Sequence, residues 1–259
     1  MMSDTLIVDK KGHIAVITMN NPPANTWTVS SLNQLVSMIE ALNQDEQIYS
    51  LVLKSSNEKF FCAGADLNLF ADSDRTIARD MARSFGEAFE ALSQFRGVSI
   101  AAINGWAMGG GLEVALACDL RVAEEHVQMA LPEAKVGLLP CAGGTQNLTM
   151  LVGEGWAKRM ILCGERVTAP KALDIGLIEE IVPTGKSLER AMEMAEQVGE
   201  QSPKAVAACK QLIQSNRTRH WNQGYMLERE LFVDLFHTQD QKEGVNAFLS
   251  KRKAEWKNR

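Results

Sequence analysis

The chain has 259 residues, 46% of them hydrophobic, and its 27 Lys and Arg against 32 Asp and Glu leave a net charge of −5. That is enough apolar material for one large core or two small ones, while the acidic balance argues against a nucleic-acid partner, which needs a basic patch. No apolar run approaches the ~20 residues of a membrane span, so no membrane partner is expected, and the five cysteines, odd in number and without Cys-x-x-Cys spacing, indicate neither a disulfide framework nor a zinc site.

Taken in order, the chain opens on Met1-Met2-Ser3-Asp4, without a basic or apolar leader, which points to the cytoplasm. Residues 5–9 and 13–20 read as a strand pair joined at Lys11-Gly12. The irregular Asn20-Asn21-Pro22-Pro23-Ala24-Asn25 follows. A helix is expected from about Thr28 to Asn43, with Val29, Leu32, Leu35, Val36, Ile39 and Leu42 on one face. Ile48 to Lys54 is a buried strand. The segment 69–95 is predicted helical, its polar opening at Ala71-Asp72-Ser73-Asp74 a loop. Strands are expected at 98–103, 119–124 and 127–131. After an irregular stretch from Pro132 to Thr145, the pattern is helical at about 145–151, 154–163, 169–175, 187–200, 203–216, 221–238 and 241–257, with one strand at 178–182. Strands early and helices late suggest a layered α/β core with a helical C-terminal region. There is no internal repeat. The four scattered histidines suggest no metal site.

The stretch Ala101-Ala-Ile-Asn-Gly105-Trp-Ala-Met-Gly109-Gly-Gly-Leu-Glu113 stands out. An apolar strand meets three successive glycines, each costly in backbone entropy, and then a helix expected from Glu113 to Cys118. The arrangement suits bare N–H groups at a helix N-terminus aimed at something negative or polarised. Phe60-Phe61-Cys62-Ala63-Gly64-Ala65-Asp66 leaves backbone accessible in the same way. Neither Ser, Thr nor Cys lies between Asn104 and Glu113, so no nucleophile elbow is presented there. The glycines do not fit G-x-G-x-x-G, and no Gly-Lys-Ser/Thr loop occurs. Two carboxylates remain, Glu113 beside the turn and Glu133 in the irregular segment. They can face one cleft and share general acid/base work if burial raises at least one pKa, or they can be ordinary surface acids. Backbone donors plus carboxylates point to stabilising an oxyanion without a covalent intermediate.

Four motifs in order resemble the enoyl-CoA hydratase/isomerase (crotonase) superfamily: Phe61-Cys-Ala-Gly-Ala-Asp66; Ala101-Ala-Ile-Asn-Gly105 with Gly109-Gly-Gly-Leu-Glu113; Pro132-Glu133 with Gly143-Gly-Thr-Gln146; and Ala247-Phe-Leu-Ser-Lys-Arg252. The resemblance covers essentially the whole chain. It implies an α/β fold, a crotonase-like spiral of β-β-α units over residues 1–200, followed by a C-terminal helical trimerisation region over 201–259 that also forms a lid. It implies an acyl-CoA substrate, with coenzyme A present as part of the thioester and no tightly bound cofactor, and a homotrimer or a hexamer built as a dimer of trimers. By the family pattern, the amides of Ala65 and Gly110 hold the thioester oxygen, and Gly110 lacks a Cβ so that the acyl group can approach. Glu113 and Glu133 together resemble the hydratase pair, Glu113 activating a water and Glu133 handling the proton at the α carbon. Ala24, Ala63, Asp66, Leu67 and Lys251 match coenzyme A contacts. Phe248 and Cys141 match positions at the acyl pocket, whose wall is expected to include 68–85.

This chain also departs from the common pattern. It has Val98-Ser99 where a proline is usual, Asn25-Thr26-Trp27-Thr28 in the first loop, and Cys141 where glycine is frequent. The Cys141 amide is expected to orient Glu133. The leading expectation is reversible hydration of trans-2-enoyl-CoA to 3-hydroxyacyl-CoA. An isomerase that shifts the double bond, using a single acid/base near Glu133, is the alternative within the superfamily. Outside it stands a non-catalytic acyl-CoA- or RNA-binding member, against which the net charge and the glutamate pair both weigh.

Overall fold

The computed structural model of the chain describes residues 5–70, 74–218 and 220–259. Among the described residues, ten strands build two sheets. They are β1 (Leu6–Lys11), β2 (Ile14–Met19), β3 (Ser50–Ser55), β4 (Phe60–Cys62), β5 (Val98–Ile103), β6 (Trp106–Met108), β7 (Leu120–Glu124), β8 (Gln128–Ala130), β9 (Val167–Thr168) and β10 (Glu180–Val182). The larger sheet runs β1-β2-β3-β5-β7-β10 and the smaller β4-β6-β8-β9. From β3 to β8, successive strands go alternately to the large and the small sheet, so the chain winds as a spiral. Only the β1–β2 and β8–β9 pairs among these are antiparallel. The central strands are buried on both faces, which explains their continuous apolar runs in place of alternation.

The helices follow the same logic. Helix α1 (Val29–Gln44) starts at a capping box in which Thr28 and Ser31 satisfy each other's amides, and it buries Leu32, Leu35, Ile39 and Leu42. Helix α2 (Arg75–Ser93) is capped by Asp74, whose side chain accepts from Thr76 and Ile77. It buries Met81, Phe85, Ala88, Phe89 and Leu92 on one stripe. Of the expected loop at 71–74, residues 71–73 lie outside the described residues; a short 3-10 turn at Leu67–Phe70 precedes them. Helix α3 (Gly110–Ala117) is buried all round. Helix α4 (Gly144–Leu162) is broken at Gly153, matching the two expected helices, and α5 (Ala169–Asp174) follows. Helix α6 (Ser187–Gly199) closes the second core, its Ala191 and Ala195 packing with Ile14, Val16, Val52, Ile100 and Val122 of the large sheet. Helix α7 (Pro203–Ser215) is fastened by Lys210, which donates to the carbonyls of Phe95 and Gly97 and to Asp119.

Beyond lie α8 (Trp221–Asp234) and α9 (Gln239–Leu249). The expected helix to residue 257 therefore ends early. Lys251 takes a φ of 53° and the tail doubles back. Buried Asp240 accepts from the amides of Lys257 and Asn258, and Asn258 donates to the Glu46 carbonyl. The residues of the tail are adequate helix formers, and these long-range bonds override that weak preference. No helix of the described residues is long and apolar enough to cross a membrane.

Candidate active site

The site is built at the carboxyl ends of the small-sheet strands, where β4, β6 and β8 each give way to a turn. After β4, the chain runs through Ala63 and Gly64 to Ala65, which forms a parallel bridge with Trp27. Trp27 donates to the Gly64 carbonyl and Asp66 donates to the Trp27 carbonyl. In such a bridge the amide of the middle residue points away from the partner, so that of Ala65 is turned outward. The first loop braces this turn from behind. Buried Asn25 donates to Ser55 and to the Phe61 carbonyl, and Ala63 donates to the Ala24 carbonyl.

After β6 come the three glycines, and each has its own steric reason. Gly109 has a φ of 55°, and a Cβ there would meet Glu133 Oε1 at 3.0 Å. A Cβ on Gly110 would strike the Phe85 ring at 2.8 Å, and one on Gly111 the Cys62 carbonyl oxygen at 2.0 Å. The ring of Phe85 on α2 thus adds its own requirement for glycine at position 110, beside the one expected for the acyl group. Helix α3 begins at Gly110, three residues earlier than the sequence suggests, because close packing on Cys62 outweighs the poor helix propensity of glycine. Gly110 and Ala65 line the same cavity, and a Cβ on Gly64 would stand 3.2 Å from the Gly110 nitrogen. The residue that opens α3 and the residue with the outward amide thus share one cavity wall, and the N-terminus of a helix favours negative charge.

Glu113 sits in the first turn of α3 and is only 3% exposed. Its Oε1 accepts from the amides of Ala142 at 2.8 Å and Gly144 at 2.9 Å. Burial raises its pKa, and the two amides pull the other way. Here the expectation for the Cys141 amide is also corrected. The orienting donors belong to Ala142 and Gly144, and the carboxylate they hold is Glu113. Glu133 opens a 3-10 turn, Glu133–Val136, closed by Gly137 in the left-handed region. Both of its carboxyl oxygens are buried, and among the described residues no other residue donates a hydrogen bond to either. Burial pushes its pKa up to about 7, and the nearby charge of Glu113 adds to the rise. One carboxylate is anchored while the other is poised near neutrality, a division suited to proton transfer.

Glu113, Glu133, Ala65 and Gly110 line one cavity of about 660 Å³, together with Ala63, Leu67 and Cys141. The segment expected at the acyl wall contributes Phe70, Ala78, Met81, Ala82 and Phe85. Four expected contacts fall elsewhere. Ala24 acts through its carbonyl on Ala63, and Asp66 caps Asn68. Phe248 is 83% exposed and Lys251 is exposed; neither lines the cavity of its own chain, because α9 ends at Leu249 and the tail turns toward α1. The sequence reading misses the Ala142 and Gly144 amides, for which Gly143-Gly144 is the available signal, and Arg166, which stands at the cavity and over the Trp106 ring at 5.5 Å. Among the described residues, no three His, Cys, Asp or Glu side chains stand where they could hold a metal ion.

Comparison with known proteins agrees with this architecture. The family model described as "Enoyl-CoA hydratase/isomerase" matches residues 9–259. The chain is 38% identical to 2,3-dehydroadipyl-CoA hydratase of Escherichia coli (strain K12), over 98% of this chain and 99% of the relative. It is 34% identical to short-chain-enoyl-CoA hydratase of Clostridium acetobutylicum, over 100% of both. A solved structure of Pseudomonas aeruginosa DspI is 62% identical and superposes with a TM-score of 0.96, covering 98% of this chain and 97% of that one. With its spiral of paired strands and its match over residues 9–259, the chain belongs to the enoyl-CoA hydratase/isomerase family.

Proposed function

We propose that the protein is an enoyl-CoA hydratase, a hydro-lyase that adds water reversibly to trans-2-enoyl-CoA to give 3-hydroxyacyl-CoA. The observation that carries the reading is the placement of two differently tuned glutamates, Glu113 and Glu133, on one cavity beside two outward amides. In the hydration direction, Glu113, anchored through Oε1, takes a proton from water through its other oxygen as the water oxygen bonds to C3. The C2–C3 π electrons move toward the thioester oxygen, where the Ala65 and Gly110 amides receive the charge. Glu133, in the protonated form that its raised pKa of about 7 keeps available near neutrality, delivers its proton to C2 as the thioester carbonyl re-forms. Hydrocarbon walls such as Met81 and Phe85 exclude bulk water and strengthen each of these interactions.

The test is the absorbance of the conjugated enone thioester. It should fall on mixing the purified protein with 2-enoyl-CoA, with 3-hydroxyacyl-CoA as product. Conversion of a 3-enoyl-CoA while the 2-enoyl absorbance persists would show isomerisation instead.

The assembly belongs to this reading as a homotrimer or a hexamer of two trimers. Its support is the apolar surface of the C-terminal helices, where Met226, Phe232, Val233, Phe236, Phe248 and Leu249 are each more than half exposed. Large apolar side chains exposed on successive helices are the raw material of an interaction surface. Within the trimer, Lys251 and Phe248 would serve a neighbour's site, on coenzyme A phosphates and at the acyl pocket. Light scattering on the eluted protein should give a mass that is a multiple of three chains; a monomer would remove this part of the proposal.

A further inference from the structure

A second cavity, of about 250 Å³, adjoins the catalytic one and plays no part in the chemistry above. Its inner wall is apolar, made by Gly86 and Phe89 of α2 and by Ala142. Its outer rim is polar, with Glu90, Asn147 and Arg217. Among the described residues, Cys141 alone lines both cavities. It stands next to Ala142, whose amide fixes Glu113, so it borders the place where C2 and C3 must lie.

Helix α2 supplies the second link. Met81 and Phe85 face the catalytic cavity, and Phe89, one turn further along the same stripe, faces the second. The Phe85 and Phe89 rings meet edge to face at 5.5 Å, so a lining residue of each cavity touches one of the other. The thioester end of the substrate is fixed at Ala65 and Gly110. Carbons beyond C3 that follow this wall would pass Cys141.

We propose that the second cavity is the distal half of the acyl site, and that Cys141 is the partition whose size sets how long a 2-enoyl chain is accepted. The substrate class is then straight-chain 2-enoyl thioesters long enough to pass the partition and lie against Phe89 and Ala142. The second cavity has room for several methylenes, at roughly the 30 Å³ that a water-sized unit occupies in a liquid. This inference rests on the hydratase reading.

The experiment measures kcat/KM for trans-2-enoyl-CoAs with four, six, eight, ten and twelve carbons on the full-length protein and on three variants. For wild type, each methylene that passes the partition should raise kcat/KM by ~4-fold, the ratio equivalent to about 0.8 kcal/mol per buried methylene. Cys141→Phe should lower the ten-to-four-carbon ratio at least ~10-fold, and Cys141→Gly should raise it. Asn147→Phe, filling the second cavity from its far rim, should lower the same ratio without altering the partition itself. An unchanged ratio in both phenylalanine variants would overturn the proposal and leave the hydratase reading standing. Absence of turnover by wild type at every chain length would overturn the hydratase reading, and this inference with it.

Discussion

The carboxyl group of Glu133 lies against the α-carbon of Gly109, so close that a methyl group there would stand 3.0 Å from Oε1. The turn that begins the oxyanion helix is therefore also the floor on which the second carboxylate rests. Gly109→Ala faces two costs. The backbone at φ 55° and ψ −127° is a region that glycine alone adopts readily, worth about 1–3 kcal/mol for another residue. The new methyl also crowds Glu133. We expect a lower melting temperature and a fall in kcat/KM of at least ~10-fold. Unaltered turnover in a folded variant would detach Gly109 from the position of Glu133.

Glu133 gives the pH dependence. Its pKa in the folded protein is raised to about 7 by burial. Hydration needs it protonated, so kcat/KM in that direction should decline as pH rises through about 7, and Glu133→Gln should remove that limb together with most of the turnover. The same shift carries a stability consequence of defined sign. The folded state holds this proton more tightly than the unfolded chain, so its contribution is fully present below the ordinary glutamate value of 4.5 and is lost as pH rises through about 7. Glu133→Gln should therefore stabilise the protein at pH 8 by about 1–2 kcal/mol, after allowance for solvent screening, and by little at pH 4. Thermal melts at the two pH values decide it.

Glu113 is held in place by backbone, and its orientation can be attacked without altering the carboxylate. A Cβ on Gly144 would meet Glu113 Oε1 at 2.7 Å and Pro140 at 2.9 Å. Gly144→Ala should thus lower kcat nearly as much as Glu113→Gln, for which a loss of ~10²–10⁴ is expected from removing a general base. Calorimetric titration with a non-reacting acyl-CoA should show that Glu113→Gln still binds. Full activity in Gly144→Ala would mean that the two amide bonds to Glu113 are dispensable.

The oxyanion donors can be probed from Gly64. A Cβ at that position would lie 2.9 Å from the Met108 carbonyl oxygen and 3.2 Å from the Gly110 nitrogen, at a backbone φ of 98°. Gly64→Ala should displace or cover one donor and reduce kcat by ~10²–10³, the usual cost of one oxyanion-hole donor. Its effect should fall on kcat more than on KM, because the charge develops in the transition state.

Much of the scaffold is legible in one dimension, since buried strands such as Leu51-Val52-Leu53 and the stripe of Leu32, Leu35 and Ile39 declare their period. The glutamate pair is legible as two residues, because each stands beside a glycine-rich turn. What is not legible is decided by distant contacts. The three-residue extension of α3 depends on the Cys62 carbonyl, and the truncation of α9 on Asp240 capturing the tail. The two-residue β9 carries no periodic signal at all. The donors to Glu113 come from a loop about thirty residues away, and nothing local says that it closes on Glu113 and not on Glu133.

The spiral has a consequence for the order in which the protein can be assembled. Because successive strands alternate between the sheets, each turn of the chain adds one layer of scaffold and one piece of the site. The amide donors, both carboxylates and the amides that anchor Glu113 all lie between Ala63 and Gly144. The chemistry is thus specified by one continuous stretch in the middle of the chain, and the remainder encloses it. A nascent chain needs contacts mostly between neighbouring turns to bring these groups together, before its last helices are made. Each of these pairings is parallel and joins residues 20 to 48 positions apart, as Ile100 with Leu120 and Ser50 with Val98, so loop-closure entropy must be met at every turn before its contacts form, which slows folding.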